Sequence, residues 1–540
     1  MPFQNESLGY IYCSNKEIAL TECIQDKKVN VSTIICDFMG DSVLCSIAER
    51  LVKKDPLNFK YLISHTLPKS TSNLTNLQHT DANQLYSVDR LYAHNNDLSY
   101  PIVDLIKDNY YSECLQTFLI CFDRTDPIGS SVREKINYFW VLLSFYEKYF
   151  NDRPDIDSII YCNVPHMPWD ILLFYFCKSI GVKTIFLRRT GMLGYIYIDE
   201  DFRPGKSEMD FKYSKSSTLA EIENINLIKL SRIKDLSNNT KYLVDGSWNI
   251  QLPILKRIVK NIAKLFNFEG LLTTSRVIIE GRPTLSKNAT ISSRQKSTFA
   301  AHNNLSWFTF LNTHFKLQNK IKRFENIYKR NCLIEIPSKQ YIYVALHSQP
   351  ERTTTPEGAH FDNQWLMIEM ISKSIPAGWC ILIKEHPKQF KYDLRTIHAR
   401  QESFYTSISR IKNAHFMSLN VSQDELISKS KMTATVSGSV GWESLINGKP
   451  VLIFSENWHS KCTASRYVYD LNSVKKAIKS YSNMTSKDVK NYVVDFVKEV
   501  SSSIIFGPIT KNHAVHFIPD DKKEFAVENA SSAIIERLKA

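Results

Sequence analysis

Two short stretches of this chain bring together residue types that handle anions: Ser437-Gly438-Ser439-Val440-Gly441-Trp442-Glu443-Ser444 and, upstream of it, Lys384-Glu385-His386-Pro387. Each follows a short apolar run that reads as a buried strand, Met432 to Val436 in one case and Trp379 to Ile383 in the other. Val440 to Ile446 has the spacing of a helix. A strand, a tight Gly/Ser turn and a helix start form an anion site, because unpaired N–H groups and the helix dipole point at one spot. Ser437 and Ser439 add hydroxyls, and Gly438 and Gly441 permit close backbone approach. Lys384 and His386 would bind phosphate oxygens or stabilise charge on a leaving group. Glu443, one turn into the helix, is placed for the ribose or base of a nucleotide. The plain alternative is a capped helix with a buried Trp442.

A third stretch, His347 to Gly358, follows the strand candidate Tyr341 to Leu346 and so lies at the same sheet edge. Gln349 and Arg352 are donor-binding candidates there, and Glu351 is a candidate nucleophile or general base. The alternative is an Arg–Glu pair that only holds a loop. In the first half, His166 lies in the loop Asn163 to Pro168 after a strand, where it would touch an acceptor, move a proton, or simply hold the loop. Asp199-Glu200-Asp201 mimics a metal-binding DxD motif, but a solvated turn is the expected reading and no metal is implied. No GxxxxGK[ST], GxGxxG or GxSxG motif is present in the sequence.

Behind these residues lies strand–helix alternation. Strands are expected at Val31 to Asp37, Phe59 to Ile63, Ser158 to Cys162 and Val182 to Leu187, with helices at Asp41 to Leu51, Ile136 to Phe150 and Asp170 to Ile180. Alternation resumes after Gln340, with strands also at Ala414 to Met417 and Val451 to Phe454. Helices are expected at Asp362 to Ser374, Arg395 to Ile411, Ser422 to Lys429, 484–502 and 522–538. Ser422 and Glu425 have capping-box spacing. Such alternation implies parallel, doubly wound sheets. The expected organisation is an N-terminal acceptor-side α/β domain (1–211), a helical, basic connecting region (212–335), a nucleotide-sugar-binding α/β domain (336–505) and a helical tail (506–540). Two Rossmann-like doubly wound domains facing a cleft, with a helical basic insertion, describe a GT-B-like α/β fold.

The chain has 540 residues, more than one ordinary core holds. Its net charge of +13 suits nucleic acid, anionic lipid or an anionic substrate. No helix-turn-helix, zinc-finger or aromatic RNA-binding signature accompanies it, so nucleic acid is not an expected partner. Eleven cysteines without metal-ligand spacing suggest reduced thiols and a cytoplasmic protein. Neither a secretory signal nor a membrane-spanning run is apparent. Two basic amphipathic segments, Ile254 to Phe266 and Trp307 to Arg330, would either lie on an anionic membrane surface or pack on a domain with their lysines in water. Gly281 to Ser297 reads as a loop.

QPERTT at 349–354, KEHP at 384–387 and SGSVGWESLINGKPVLIF at 437–454 resemble the capsular polysaccharide biosynthesis family, which includes bacterial transferases of 3-deoxy-D-manno-octulosonic acid (Kdo). NVPHMPWD at 163–170 is similar to the family's first-domain loop. The resemblance implies a GT-B glycosyltransferase at the inner face of the cytoplasmic membrane that uses a CMP-activated sugar, Kdo or another, and no cofactor. The acceptor it implies is a growing capsule or O-antigen glycan, free or lipid-linked. His386, Ser437 and Ser439 would hold the donor phosphate, Glu443 the nucleoside, and Glu351 would be the carboxylate used by retaining relatives, although those carry a more acidic segment here. The alternatives are a non-catalytic capsule export or assembly protein that binds glycan or a membrane complex, and an epimerase of the same fold.

Overall fold

The structure, a computed structural model, describes residues 32–38, 42–65, 73–86, 91, 110–126, 129–192, 194–207, 209, 211–215, 307–391, 393, 396–508 and 518–540. The 254–266 amphipathic segment and the 281–297 loop lie outside the described residues. The first half runs β1 (Ser32–Cys36), α1 (Ser42–Lys54), β2 (Phe59–Ser64), β3 (Gln78–Asp81), α2 (Tyr110–Phe122), α3 (Val132–Asn151), β4 (Ile156–Tyr161), α4 (Pro168–Ser179), β5 (Lys183–Arg189) and β6 (Tyr195–Asp199). The second begins with α5 (Trp307–Arg330), β7 (Cys332–Leu333), β8 (Tyr341–Ala345), α6 (Gln364–Ser372), β9 (Cys380–Lys384), α7 (Glu402–Ser409) and β10 (Ala414–Met417). It continues through α8 (Gln423–Lys429), β11 (Met432–Thr435), α9 (Ser439–Ile446), β12 (Val451–Ile453), β13 (Ser465–Tyr467), α10 (Leu471–Tyr481), α11 (Ser486–Val500), β14 (Ile505–Phe506) and α12 (Lys523–Lys539).

Two seven-stranded sheets result, in the orders β14-β6-β5-β4-β1-β2-β3 and β13-β12-β11-β8-β9-β10-β7. All pairs of the second sheet are parallel. The first is parallel except at β6 and β14. Strands such as β1 (STIIC), buried at every position, read as continuous apolar runs because helices cover both faces of the sheet. Each sheet reverses its winding direction once, between β1 and β4 in the first and between β8 and β11 in the second. Crevices beyond the carboxyl ends of strands at such switch points are where open α/β sheets bind ligands. The expected α/β class with two doubly wound domains is therefore the observed one.

One feature decides between the two readings of the amphipathic helix, and two depart from the sequence reading. The apolar stripe of α5 is turned into the second domain, where Leu317, Phe324 and Tyr328 are buried, so this stretch of the helix belongs to that core. Burial takes those side chains from any membrane face, and no helix among the described residues is long and apolar enough to cross a membrane. Second, the last residues return to the first domain. β14 pairs antiparallel with β6, and α12 packs on α1 through Arg50–Glu528 (2.5 Å) and on β5 through Lys183 Nζ donating to the Arg537 carbonyl (2.8 Å). Third, Ser422 stands at the start of α8 but its side chain makes no capping bond. A full capping box forms instead at Ser131 and Glu134 of α3.

One apolar cluster spans both domains. Met192, Tyr195 and Tyr197 pack with Trp442, Leu445, Trp458, Phe496 and Phe506. The approach is tight at Gly191, where a Cβ would lie 2.6 Å from Trp442 Cγ. Gly191→Ala should therefore push the domains apart or force Trp442 off its rotamer, at a cost of about 1–3 kcal/mol by overpacking. Chemical denaturation of the two proteins checks this, and an unchanged midpoint would contradict the packing.

A candidate active site at the facing strand ends

The ends of β8, β9 and β11 lie side by side, and they bring together the three stretches singled out in the sequence. The link is His347, the first residue after Leu346 at the end of β8, buried to 5% exposure. The Thr435 hydroxyl oxygen accepts the Gly438 N–H (3.2 Å), so its own proton is available to His347 Nε2 at 2.9 Å. The Ser437 N–H also points at Nε2, at 3.4 Å. With Nε2 accepting, Nδ1–H is left to donate to Thr353 Oγ1 (3.2 Å) and towards Glu351 Oε2 (3.6 Å). One imidazole thus ties the Gly/Ser turn to the carboxylate loop. The tightness of the turn requires glycine at 438, where a Cβ would sit 2.9 Å from Thr435 Oγ1.

Glu351 lies on the loop that follows β8, beside His347. Its side chain is 49% exposed, yet the walls around it displace much of its hydration. That burial raises its pKa, but the hydrogen bond and charge interaction with His347 outweigh it, together with the fields of His386 and Arg352, and hold the carboxyl at about 2. A carboxylate so acidic is a poor proton acceptor and a persistent negative charge. His386 stands opposite. Its Nδ1 accepts the Lys388 N–H (3.1 Å), which leaves Nε2–H as a donor. Burial lowers its pKa, opposed by the charges of Glu351 and Glu385.

The turn at 437–439 holds its predicted shape. Ser437 Oγ donates to the Thr353 carbonyl (2.6 Å), and Ser439 is the first residue of α9, whose opening amides have no partners within the helix. Ser439 Oγ donates to Glu443 Oε1 (3.0 Å) and Gln423 Nε2 to Glu443 Oε2 (2.7 Å). Burial raises the pKa of Glu443 against those two bonds.

Other residues named in the sequence reading have different neighbours. Lys384 Nζ donates to the Val421 carbonyl (2.6 Å), so its ammonium holds a loop. Gln349 donates to the Asp362 carbonyl (3.1 Å) and lines a cavity of about 440 Å³ between the domains, together with Asp123, Asp362, Trp365 and Arg400. Burial pushes Asp362 up to about 6 against its bond from Asn363. Arg352 pairs with the buried Glu357, which also takes Arg188 Nη2 of the first domain at 2.7 Å. The acidic triplet 199–201 is not a solvated turn. Asp199 and Asp201 are buried because Arg188 (2.8 Å) and Arg203 (2.6 Å) neutralise them. On the first domain, His166 Nδ1 donates to the Val164 carbonyl (2.9 Å), while Arg124 reaches from the His166 carbonyl to that of Thr355, 2.9 Å each.

Two supports were not singled out in the sequence. His347 was read only as the start of a loop. Glu385, between Lys384 and His386, is buried and bonded by Arg400 Nε (3.3 Å) and Tyr405 OH (2.9 Å), and Arg400 Nη2 also holds the His347 carbonyl (3.0 Å). The one signal available was alternation, since a strand that points Lys384 and His386 one way points Glu385 the other.

Together these features define a two-domain GT-B-like α/β protein with a cleft at the strand ends of its second sheet. Within it, residues 352–467 match the model of a family described as capsule polysaccharide biosynthesis protein, which bears out the resemblance carried by the motifs there. No curated protein matches the sequence. Among solved structures, UDP-GlcNAc 2-epimerase from Methanocaldococcus jannaschii is similar at 13% identity over 85% of this chain and 98% of that one, with a TM-score of 0.23. KpsC of Thermosulfurimonas dismutans, a β-Kdo 2,7 transferase, is similar at 9% identity over 72% and 96%, with a TM-score of 0.25. The wall teichoic acid polymerase TagF follows at 13% over 95% and 92%, with a TM-score of 0.22. Overlays this loose carry no argument, and the fold rests on the two sheets themselves.

Behind the turn, His459 is buried at 1% exposure, bonded to Ser465 Oγ (2.9 Å) and Asn457 Nδ2 (3.1 Å), and burial lowers its pKa to about 3. The folded value lies below the unfolded value of about 6.5, so the unfolded chain takes the proton first. Stability should be full above that pH and fall as pH drops towards 3, by up to about 1.4 kcal/mol per pH unit from this group. Denaturation of wild type and His459→Asn between pH 7 and 4 checks the sign: the variant should show the shallower fall.

Proposed function

We propose that this chain is a glycosyltransferase of capsule or O-antigen assembly, moving a sugar from a nucleotide donor, CMP-linked by preference, to a glycan or lipid-linked glycan acceptor. The observation that carries the reading is the convergence of the Gly/Ser turn, His386 and Glu351 at the switch point of the second sheet, linked through His347. The family match over residues 352–467, which include His386 and the Gly/Ser turn, supports it.

In this reading, the His386 Nε2–H and the first amides of α9 hold the donor phosphate and take up negative charge as the anomeric bond breaks, while the Ser437 and Ser439 hydroxyls, which donate to the Thr353 carbonyl and to Glu443, shape the turn around it. Glu443, positioned by Ser439 and Gln423, receives the ribose. Glu351, fixed as an anion, stabilises positive charge at the anomeric carbon or attacks it; its low pKa argues against the role of base. The sugar is Kdo or another CMP-activated sugar, and the interdomain cavity lined by Gln349 and Asp362 receives part of the acceptor. The protein acts at the inner face of the cytoplasmic membrane, where a lipid-linked acceptor would be found.

His386→Ala should lower transfer by about 30- to 1000-fold, the effect of losing one such donor. The wild type should gain thermal stability with CMP, and less with UDP, as concentration passes the dissociation constant. Sugar incorporation into membranes and melting curves give the two readouts. Undiminished turnover in His386→Ala would remove the phosphate role. An export or assembly protein should be stabilised by neither nucleotide.

A further inference from the structure

The first sheet has its own switch point, between β1 and β4, and the residue that ends β1 there is Asp37. Its backbone is left-handed, with φ of 60°, a conformation that costs a residue with a side chain about 1 kcal/mol or more. The Asp37 N–H still bonds the Ile63 carbonyl (2.8 Å), so the backbone stays paired with β2 up to this residue. That carboxylate is 40% exposed, while its partner, His65 at the end of β2, is 12% exposed.

His65 is held in one orientation. The Asn83 side-chain amide donates to its carbonyl (2.8 Å). Tyr86 OH lies 3.2 Å from Nε2, and its oxygen already accepts the Trp169 indole N–H (2.8 Å). The phenol proton is thus directed at Nε2, leaving Nδ1–H for Asp37 Oδ1 at 2.8 Å. The edge that carries this pair faces the second domain. His166 lies on the loop after the neighbouring β4, and Arg124 ties its carbonyl to that of Thr355, on the loop that carries Glu351.

We propose that Asp37 is the acceptor-side base of the transfer reaction and that His65 is its positioning residue. Resting on the functional reading above, this divides the two carboxylates of the cleft between donor and acceptor. In the bond-forming step, the acceptor hydroxyl oxygen bonds to the anomeric carbon and its proton passes to a carboxylate oxygen of Asp37. The anomeric bond that breaks, to the donor phosphate or to Glu351, leaves its electron pair on that oxygen. Asp37 so takes the proton-accepting role on the acceptor side. The left-handed backbone at the end of β1 is a strained conformation of the kind that gathers at functional sites.

The test uses Asp37→Asn, since Asn tolerates left-handed backbone and keeps the bulk. Radiolabelled CMP-Kdo is the donor probe, and membranes of the source cell lacking this protein supply the acceptor. Asp37→Asn should lower incorporation by about 100- to 10,000-fold while the CMP-induced rise in melting temperature stays as in wild type. His65→Phe should lower kcat without moving the donor KM, and His65→Gln, whose amide can donate to Asp37, should restore part of it. Asp37→Asn incorporating within threefold of wild type overturns the inference and leaves the functional reading standing. A wild type that CMP does not stabilise and that labels nothing overturns the functional reading, and this inference with it.

Discussion

The Glu357 carboxylate fixes the geometry of the cleft. It is 3% exposed and paired with Arg188 of β5 and Arg352 of its own loop. Arg188 is also held by Asp199 of β6, so two carboxylates and two guanidiniums alternate across the domain boundary. Removing four charges from water is costly, and such a network is a stable arrangement only when each charge keeps its partner. The result is specific placement more than net stability: the loop that carries Glu351 is pinned at one end to the first domain. The Ser455 hydroxyl holds the Glu357 carbonyl at 2.5 Å, adding a third anchor.

The other end of that loop is fixed by a second buried ion pair. Arg400 holds Glu385 and the His347 carbonyl at once, so the ends of β8 and β9 are registered by one guanidinium. Between the two anchors, the His347 imidazole passes orientation from Thr435 and the turn to Glu351. A reacting centre has to be held to within fractions of an ångström, and rigid supports rather than the reacting groups themselves do this. Here the supports are buried charges and the groups they hold are cleft-facing.

Which parts were legible in the sequence follows from this division. Strands buried on both faces announce themselves as apolar runs, and their carboxyl ends locate His386, Glu351 and the 437–439 turn by chain position alone. β3 (QHTD) and β13 (SRY) lack an apolar run, and β14 is two residues long, so only their pairing with a sheet reveals them. The acidic triplet at 199–201 looked hydrated because a charge run carries no record of a guanidinium eleven residues upstream on the adjacent strand. α5 showed its amphipathic stripe plainly, but a stripe does not state what covers it. Lys384 was placed at the right strand end and misread in direction, since a long flexible ammonium goes to the nearest free carbonyl, here that of Val421.

The electrostatics of the cleft set the order in which the chemistry can occur. An isolated half-exposed glutamate would titrate near 4.5, and the fields of His347, His386 and Arg352 bring Glu351 to about 2, so it is charged before any ligand arrives. An anionic donor entering such a site meets repulsion from Glu351 unless its phosphate lies on the far side, against Nε2–H of His386 and the amides of α9. In the proposed reaction, that requirement would orient the donor, with the phosphate at the turn and the anomeric carbon, where positive charge develops, towards the carboxylate. In the proposed reaction, the Nε2–H of His386 would donate to the phosphate with a hydrogen bond that strengthens as the leaving oxygen becomes more negative.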